Sequence, residues 1–123
     1  MKHITTFCFF LLSVALSAQD IADVSVSGSG RVTVRDANNN EIATRYLGNG
    51  EELAGFSSTI VVVQSSSGRV TVYNQKFEEI ASHYLGNGER IKAVTGNYVI
   101  IKSSSGRVTT FDKKFQEISS RYE

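Results

Sequence analysis

The sequence predicts an all-β protein made of tandem copies of one four-stranded antiparallel unit. Three observations carry that reading: a gapless 38-residue repeat, short β-branched runs within each copy, and clusters of Gly, Asn and Ser between the runs. Gly30, Gly68 and Gly106 each open the phrase Gly-Arg-Val-Thr, 38 residues apart. The same register aligns Glu41-Ile42 with Glu79-Ile80 and Glu117-Ile118, and Tyr46 with Tyr84 and Tyr122. Leu47-Gly-Asn-Gly-Glu51 returns as Leu85-Gly-Asn-Gly-Glu89. A fixed period of this length marks a stacked or radial repeat architecture.

The first element is not part of that repeat. Lys2 and His3 precede an apolar run from Phe7 to Leu16, and Ser17-Ala18 leads into the polar Gln19-Asp20. An apolar run of about ten residues is too short to span a bilayer as a helix. A basic start, an apolar middle and small residues at the exit make a secretory signal, residues 1–18, cleaved after Ala18 or after Ser17. Cys8, the only cysteine, lies inside it. Cleavage leaves a repeat domain over 19–123, with units of about 22–50, 51–88 and 89–123, and no disulfide to stabilise it.

In the central unit the strands are expected at Glu51–Ser57, Thr59–Gln64, Arg69–Tyr73 and Glu78–Leu85. The next unit places them at Arg90–Thr95, Tyr98–Lys102, Arg107–Phe111 and Phe115–Tyr122. Val-Thr-Val alternation and β-branched residues suit a pleated sheet. Ser65–Gly68, Gly86–Gly88 and Gly96-Asn97 supply turns, and no proline interrupts the strands. The second strand of each unit, Ile60–Val63 or Tyr98–Ile101, is apolar on both faces, which requires cover on both sides. Four antiparallel strands with an interior strand sandwiched between neighbouring sheets make a β-propeller blade.

The phrase from Val94 to Asp112, VTGNYVIIKSSSGRVTTFD, resembles the blade core of WD40-like and PQQ-like propeller repeats. The resemblance covers the whole repeat region and implies tandem four-stranded blades. The chain has no Trp, so the Trp-Asp ending of one family and the closing Trp of the other are missing, with Tyr84 or Tyr122 near the latter position. The resemblance therefore implies a fold and no ligand.

Ala22–Ser27 matches the second strand of a unit, and the matching first strand would fall on residues 14–20, inside the signal. The mature chain is thus expected to hold about three blades, the first lacking its inner strand. Propellers close with four to eight blades, so an open array should expose an apolar face at each end and seek a partner. A homo-oligomer follows as the expectation, most simply a dimer forming a six-bladed ring; the alternative is an open curved array, or a marginally stable fragment of a longer repeat protein.

The mature segment carries 12 basic and 12 acidic groups, since the signal holds one of the 13 Lys and Arg and none of the 12 Asp and Glu. Neutrality argues against nucleic acid as partner, and no stable membrane insertion is expected once the signal is removed. No catalytic set is expected. His83 is the only mature histidine, its counterparts are Arg45 and Arg121, and the slot reads as an outward-facing polar one. No Gly-x-Ser-x-Gly elbow is present. Asp36-Ala-Asn-Asn-Asn40 starts like a calcium loop, but Glu41 stands where Gly is needed and Leu47 where the bidentate acid belongs, so a strand-joining turn is expected instead, with no metal and no cofactor.

Two repeated surface sets are candidate ligand sites. Ser29 with Arg31, Ser67 with Arg69, and Ser105 with Arg107 each put a hydroxyl, a free backbone amide and a guanidinium at one hairpin, suited to a carboxylate or a sugar. Arg45-Tyr46, His83-Tyr84 and Arg121-Tyr122 put a cation beside an aromatic; the competing account packs each Tyr between blades. Two functions are open: a secreted or periplasmic interaction module binding a glycan, peptide or protein through repeated loops, or a self-assembling structural protein with no small ligand.

Overall fold

The computed structural model describes residues 20–123; the expected signal, 1–18, lies outside the described residues. Eleven strands run in order: β1 (Asp23–Val26), β2 (Arg31–Arg35), β3 (Glu41–Tyr46), β4 (Glu51–Phe56), β5 (Val61–Ser65), β6 (Arg69–Tyr73), β7 (Glu79–Tyr84), β8 (Arg90–Thr95), β9 (Tyr98–Lys102), β10 (Arg107–Asp112) and β11 (Glu117–Tyr122). They form three antiparallel sheets of neighbours in sequence, β1-β2-β3, β4-β5-β6-β7 and β8-β9-β10-β11. The three-four-four count is the one that the repeat predicts, and no helix occurs among the described residues.

Each sheet is pinned by the same local devices. The last hairpin of each turns on an acceptor: Asp36 Oδ1 takes the amides of Asn38 and Asn40, both at 2.9 Å. Asn74 and Asp112 do the same at their counterpart turns. The Asp36 segment is therefore a strand-joining turn. A bulge shifts the register at Val34/Arg35, Val72/Tyr73 and Thr110/Phe111, and another at Leu53/Gly55 and Ile91/Ala93. Each bulge moves the following side chains to a different face.

The core is two apolar layers between sheets. Val24, Val32 and Val34 of the first sheet meet Val61, Val63 and Tyr73 of the second. Ile60, Val62, Val70 and Val72 of the second meet Val99 and Ile101 of the third. Strand β5 is thus covered on both sides, as its composition requires. Strand β9 is not: Val99 and Ile101 are buried, but Tyr98 is 44% exposed, because its other face has no sheet over it. Polar contacts join the sheets at their turns, where Ser57 Oγ donates to the Gly96 carbonyl at 2.6 Å and Thr59 Oγ1 to Asn97 Oδ1 at 2.7 Å. The Ile21 amide donates to the Ser58 carbonyl at 2.8 Å.

Over the third sheet's free face, Glu123 gathers Lys92, Lys102 at 3.0 Å and Arg121 at 3.5 Å. Hydrogen bonds from Lys92 and then Lys102 hold its carboxyl down at about 2, below its ordinary 4.5. A carboxylate with a lowered folded-state pKa contributes stability that is complete above 4.5 and is lost as pH falls through about 2. The Glu123 side-chain carboxyl should accordingly titrate near 2 by carbon-detected NMR, and Lys92→Ala should move that midpoint back toward 4.5; an unchanged midpoint would refute the Lys92 assignment.

Candidate functional site

The Ser-Gly-Arg hairpins are self-satisfied. Ser27 Oγ and Ser29 Oγ share a hydrogen bond of 2.9 Å, and the Arg31 amide donates to Ser27 Oγ at 3.1 Å. The Gly30 amide donates to the Ser27 carbonyl. Ser65–Ser67 with Arg69, and Ser103–Ser105 with Arg107, repeat the arrangement. The glycines at 30, 68 and 106 have φ of 84°, 88° and 91°, which the turn requires. The expected free amide is therefore consumed by the turn itself, as are the hydroxyls of Ser29, Ser67 and Ser105.

The guanidiniums point elsewhere. Arg31, Arg69 and Arg107 reach the outermost strand of their own sheet, where each meets a carboxylate: Glu41 at 3.7 Å, Glu79 at 3.7 Å and Glu117 at 3.8 Å. Arg69 also donates to Ser82 Oγ at 3.3 Å, and Arg107 Nε to Ser120 Oγ at 2.6 Å. Directly across the strands from these arginines stand Tyr46, Tyr84 and Tyr122. Their exposures are 65%, 64% and 72%, which excludes the account that packs them between sheets. The two sequence-derived sets thus merge into one rim patch per sheet: an exposed Tyr, an Arg, a Glu and a Ser, with Thr44 in the first sheet's Ser position.

The pairing of Arg45, His83 and Arg121 with their sequence neighbours does not hold. Adjacent strand residues face opposite sides, so Arg45 and Tyr46 cannot share a face. Arg45 instead places its guanidinium 4.7 Å from the Tyr73 ring of the next sheet, a cation–π contact. His83 lies 5.3 Å from the Phe111 ring and stacks 5.2 Å from Phe115. Its slot faces the next sheet, not solvent. Burial pushes the Tyr73 phenol pKa up, and Arg45 partly offsets this. Only Arg121, with no sheet beyond it, is turned to solvent and to Glu123.

Sequence reasoning missed Glu41, Glu79 and Glu117 as members of the rim patch, although their identity in all three copies was on view. Among the described residues no three His, Cys, Asp or Glu side chains converge as metal ligands would.

No family model matches the chain, and no curated protein does. Solved structures do. BamB from Moraxella catarrhalis superposes with a TM-score of 0.52 at 19% identity, over 81% of this chain and 34% of that one. A Bacteroides caccae protein of unknown function superposes with a TM-score of 0.58 at 13% identity, over 84% of this chain and 40% of that one. The chain is built of β-propeller blades. It spans 34% and 40% of the lengths of these two chains. At such identities the likeness concerns the fold alone, so each sheet above is a blade, β4 and β8 are inner strands, and β3, β7 and β11 form the rim.

Proposed function

We propose that the protein is an exported, non-catalytic binding module whose blade rims hold a repeating neutral glycan. The observation that carries this reading is the recurrence, in all three blades, of a tyrosine at least 64% exposed directly across from an arginine. An exposed aromatic ring offers an apolar platform with a polar tip, which suits the apolar face of a pyranose. The paired Arg and Glu beside it offer donors and acceptors to vicinal hydroxyls. Because each arginine is already matched by a carboxylate, the patch favours an uncharged sugar over a polyanion. Three such patches on one rigid repeat gain avidity for a polymer that reaches several of them. Export to the periplasm or the medium rests on the signal over residues 1–18.

Titration calorimetry with cellohexaose, chitohexaose and laminarihexaose, and with heparin as the polyanion, tests the reading. At least one neutral oligosaccharide should bind. Tyr84→Ala should weaken it about tenfold, a loss of about 1.4 kcal/mol, and removal of all three tyrosines should abolish it. Arg69→Ala with Arg107→Ala should lose binding while keeping the assembly state. Binding of heparin alone, or of no saccharide, would overturn the glycan reading and favour a structural protein without a small ligand.

A further inference from the structure

The 38-residue register allows each outward-facing position to be compared with its counterpart at a blade–blade contact. On the middle blade, the face that meets the first is built from Val61, Val63, Tyr73 and Phe77. The first blade's own free face carries Asp23, Ser25, Arg35 and Asn39 at those four positions. On the middle blade, the face that meets the third includes Ala54, Val72 and Leu85. The third blade's free face carries Lys92, Thr110 and Glu123 there. The repeat thus turns polar at these positions, over the first blade's free face and over part of the third's, where Tyr98 and Ile118 stay 44% and 53% exposed.

Two details show that these replacements fit the fold. Asn39, Phe77 and Phe115 all sit in the left-handed region, with φ of 66°, 61° and 59°. Asn tolerates that conformation, whereas a Phe there is strained. Phe77 and Phe115 are nonetheless present, each packed with an aromatic partner, Tyr73 and Phe111, at a blade contact. Where no blade supplies the contact, the residue is the unstrained Asn. On the third blade Val108 remains only 1% exposed although no sheet lies over it. Its cross-strand neighbours are Lys102 and Arg121, and both join Glu123, so their aliphatic stems cover it while the charges stay wet.

A ring made of two copies would also repeat the aromatic contact unfavourably. Arg45 lies on Tyr73 and His83 on Phe111; in the same register a second copy would bring Arg121 onto Arg35, cation against cation. Like charges brought together at an interface oppose pairing.

We propose that these two faces, despite Tyr98 and Ile118 on the third blade, are water-facing surfaces, and that the described blades do not close into a ring with a second copy. Light scattering on the purified protein at micromolar concentration should give a monomer. The only native cysteine is in the signal, so Ser25→Cys and Lys92→Cys report the two faces by maleimide labelling. Both should label within about threefold of Asn87→Cys in an exposed loop, since thiol reactivity follows access. A variant carrying Asp23→Val, Ser25→Val, Arg35→Tyr, Lys92→Ala, Thr110→Val and Glu123→Leu should become a concentration-dependent dimer. A native dimer or larger species, or labelling at either face slowed more than about tenfold, would overturn the proposal; so would a folded six-residue variant that stays monomeric. If that variant fails to fold, native mass and labelling decide.

Discussion

Ile60→Ala should lower stability by about 3 kcal/mol and the melting temperature by about 15 °C, while Tyr98→Ala, at the same place in the next repeat, should cost less than about 1 kcal/mol. Ile60 is fully buried in the contact between the second and third blades, with Val62, Val70, Val99 and Ile101 around it. Removing its distal carbons deletes dispersion contacts on a side that relaxes little, because each sheet's own backbone ladder keeps its strands from moving singly into the gap. Tyr98 occupies the corresponding register on the third blade and is 44% exposed, so truncating it opens no cavity. A chain of this size has a total stability of about 5–15 kcal/mol, so the first change removes a sizeable share. Paired thermal melts of the two variants check the contrast. Equal losses would mean that a further body covers the third blade's free face, since only cover there would make Tyr98 a core residue.

The contrast also marks what could be read from the chain and what could not. The repeat and its turns place all eleven strands, because the turn positions need Gly, Asn or an Asx acceptor for local reasons that any copy displays. Arg90–Thr95 and Tyr98–Lys102 coincide with β8 and β9. The facing of the rim residues was not legible. One bulge after Val72 and another after Leu53 break the two-residue alternation, and nothing local in the sequence announces them. Arg45 and Tyr46 looked like partners because they are adjacent in sequence, but ordinary strand alternation sends them to opposite faces and sets Arg45 against Tyr73 one blade away.

Difference between copies, more than their likeness, holds the information about the ends. Read as averages, Val61 with Asp23, or Leu85 with Glu123, look like drift in a degenerate repeat. Placed on the sheets, the polar member of each pair falls on a face that has no neighbour, and the apolar member on a contact. The array's shortfall against a closed ring therefore does not by itself imply two wholly apolar free faces, although Tyr98 and Ile118 stay exposed on the third blade. The rim patches vary in the opposite manner: Arg, Glu and Tyr are identical in all three blades although none of them builds an interblade layer. Rim identity without packing demand is what a repeated binding surface would require, and it gives the glycan titration its rationale.

Gly55→Val should destabilise the protein by about 3 kcal/mol, and Gly55→Ala by about 1–2 kcal/mol. Gly55 is in the inner strand β4, at the bulge opposite Val62, where β4 approaches the inner strand β8 of the next blade. A Cβ built on Gly55 would stand 2.8 Å from Val94 Cγ2 and 3.2 Å from Val94 Cβ. The backbone conformation there does not demand glycine, so space alone is the constraint. Val94 cannot swing aside cheaply, since a β-branched side chain in a strand has few χ1 wells. The two inner strands would have to part, and that would loosen the layer containing Ile60 and Ile101 in which Val94 packs. The test is a double-mutant cycle on Gly55→Ala and Val94→Ala by urea denaturation. Val94→Ala removes Cγ2, the nearer atom, so the pair should be less destabilised than the sum of the single changes by about 1 kcal/mol, within the range for touching residues. Strict additivity would show that the two inner strands do not meet at this point, and would remove the hub from which the blade order is built.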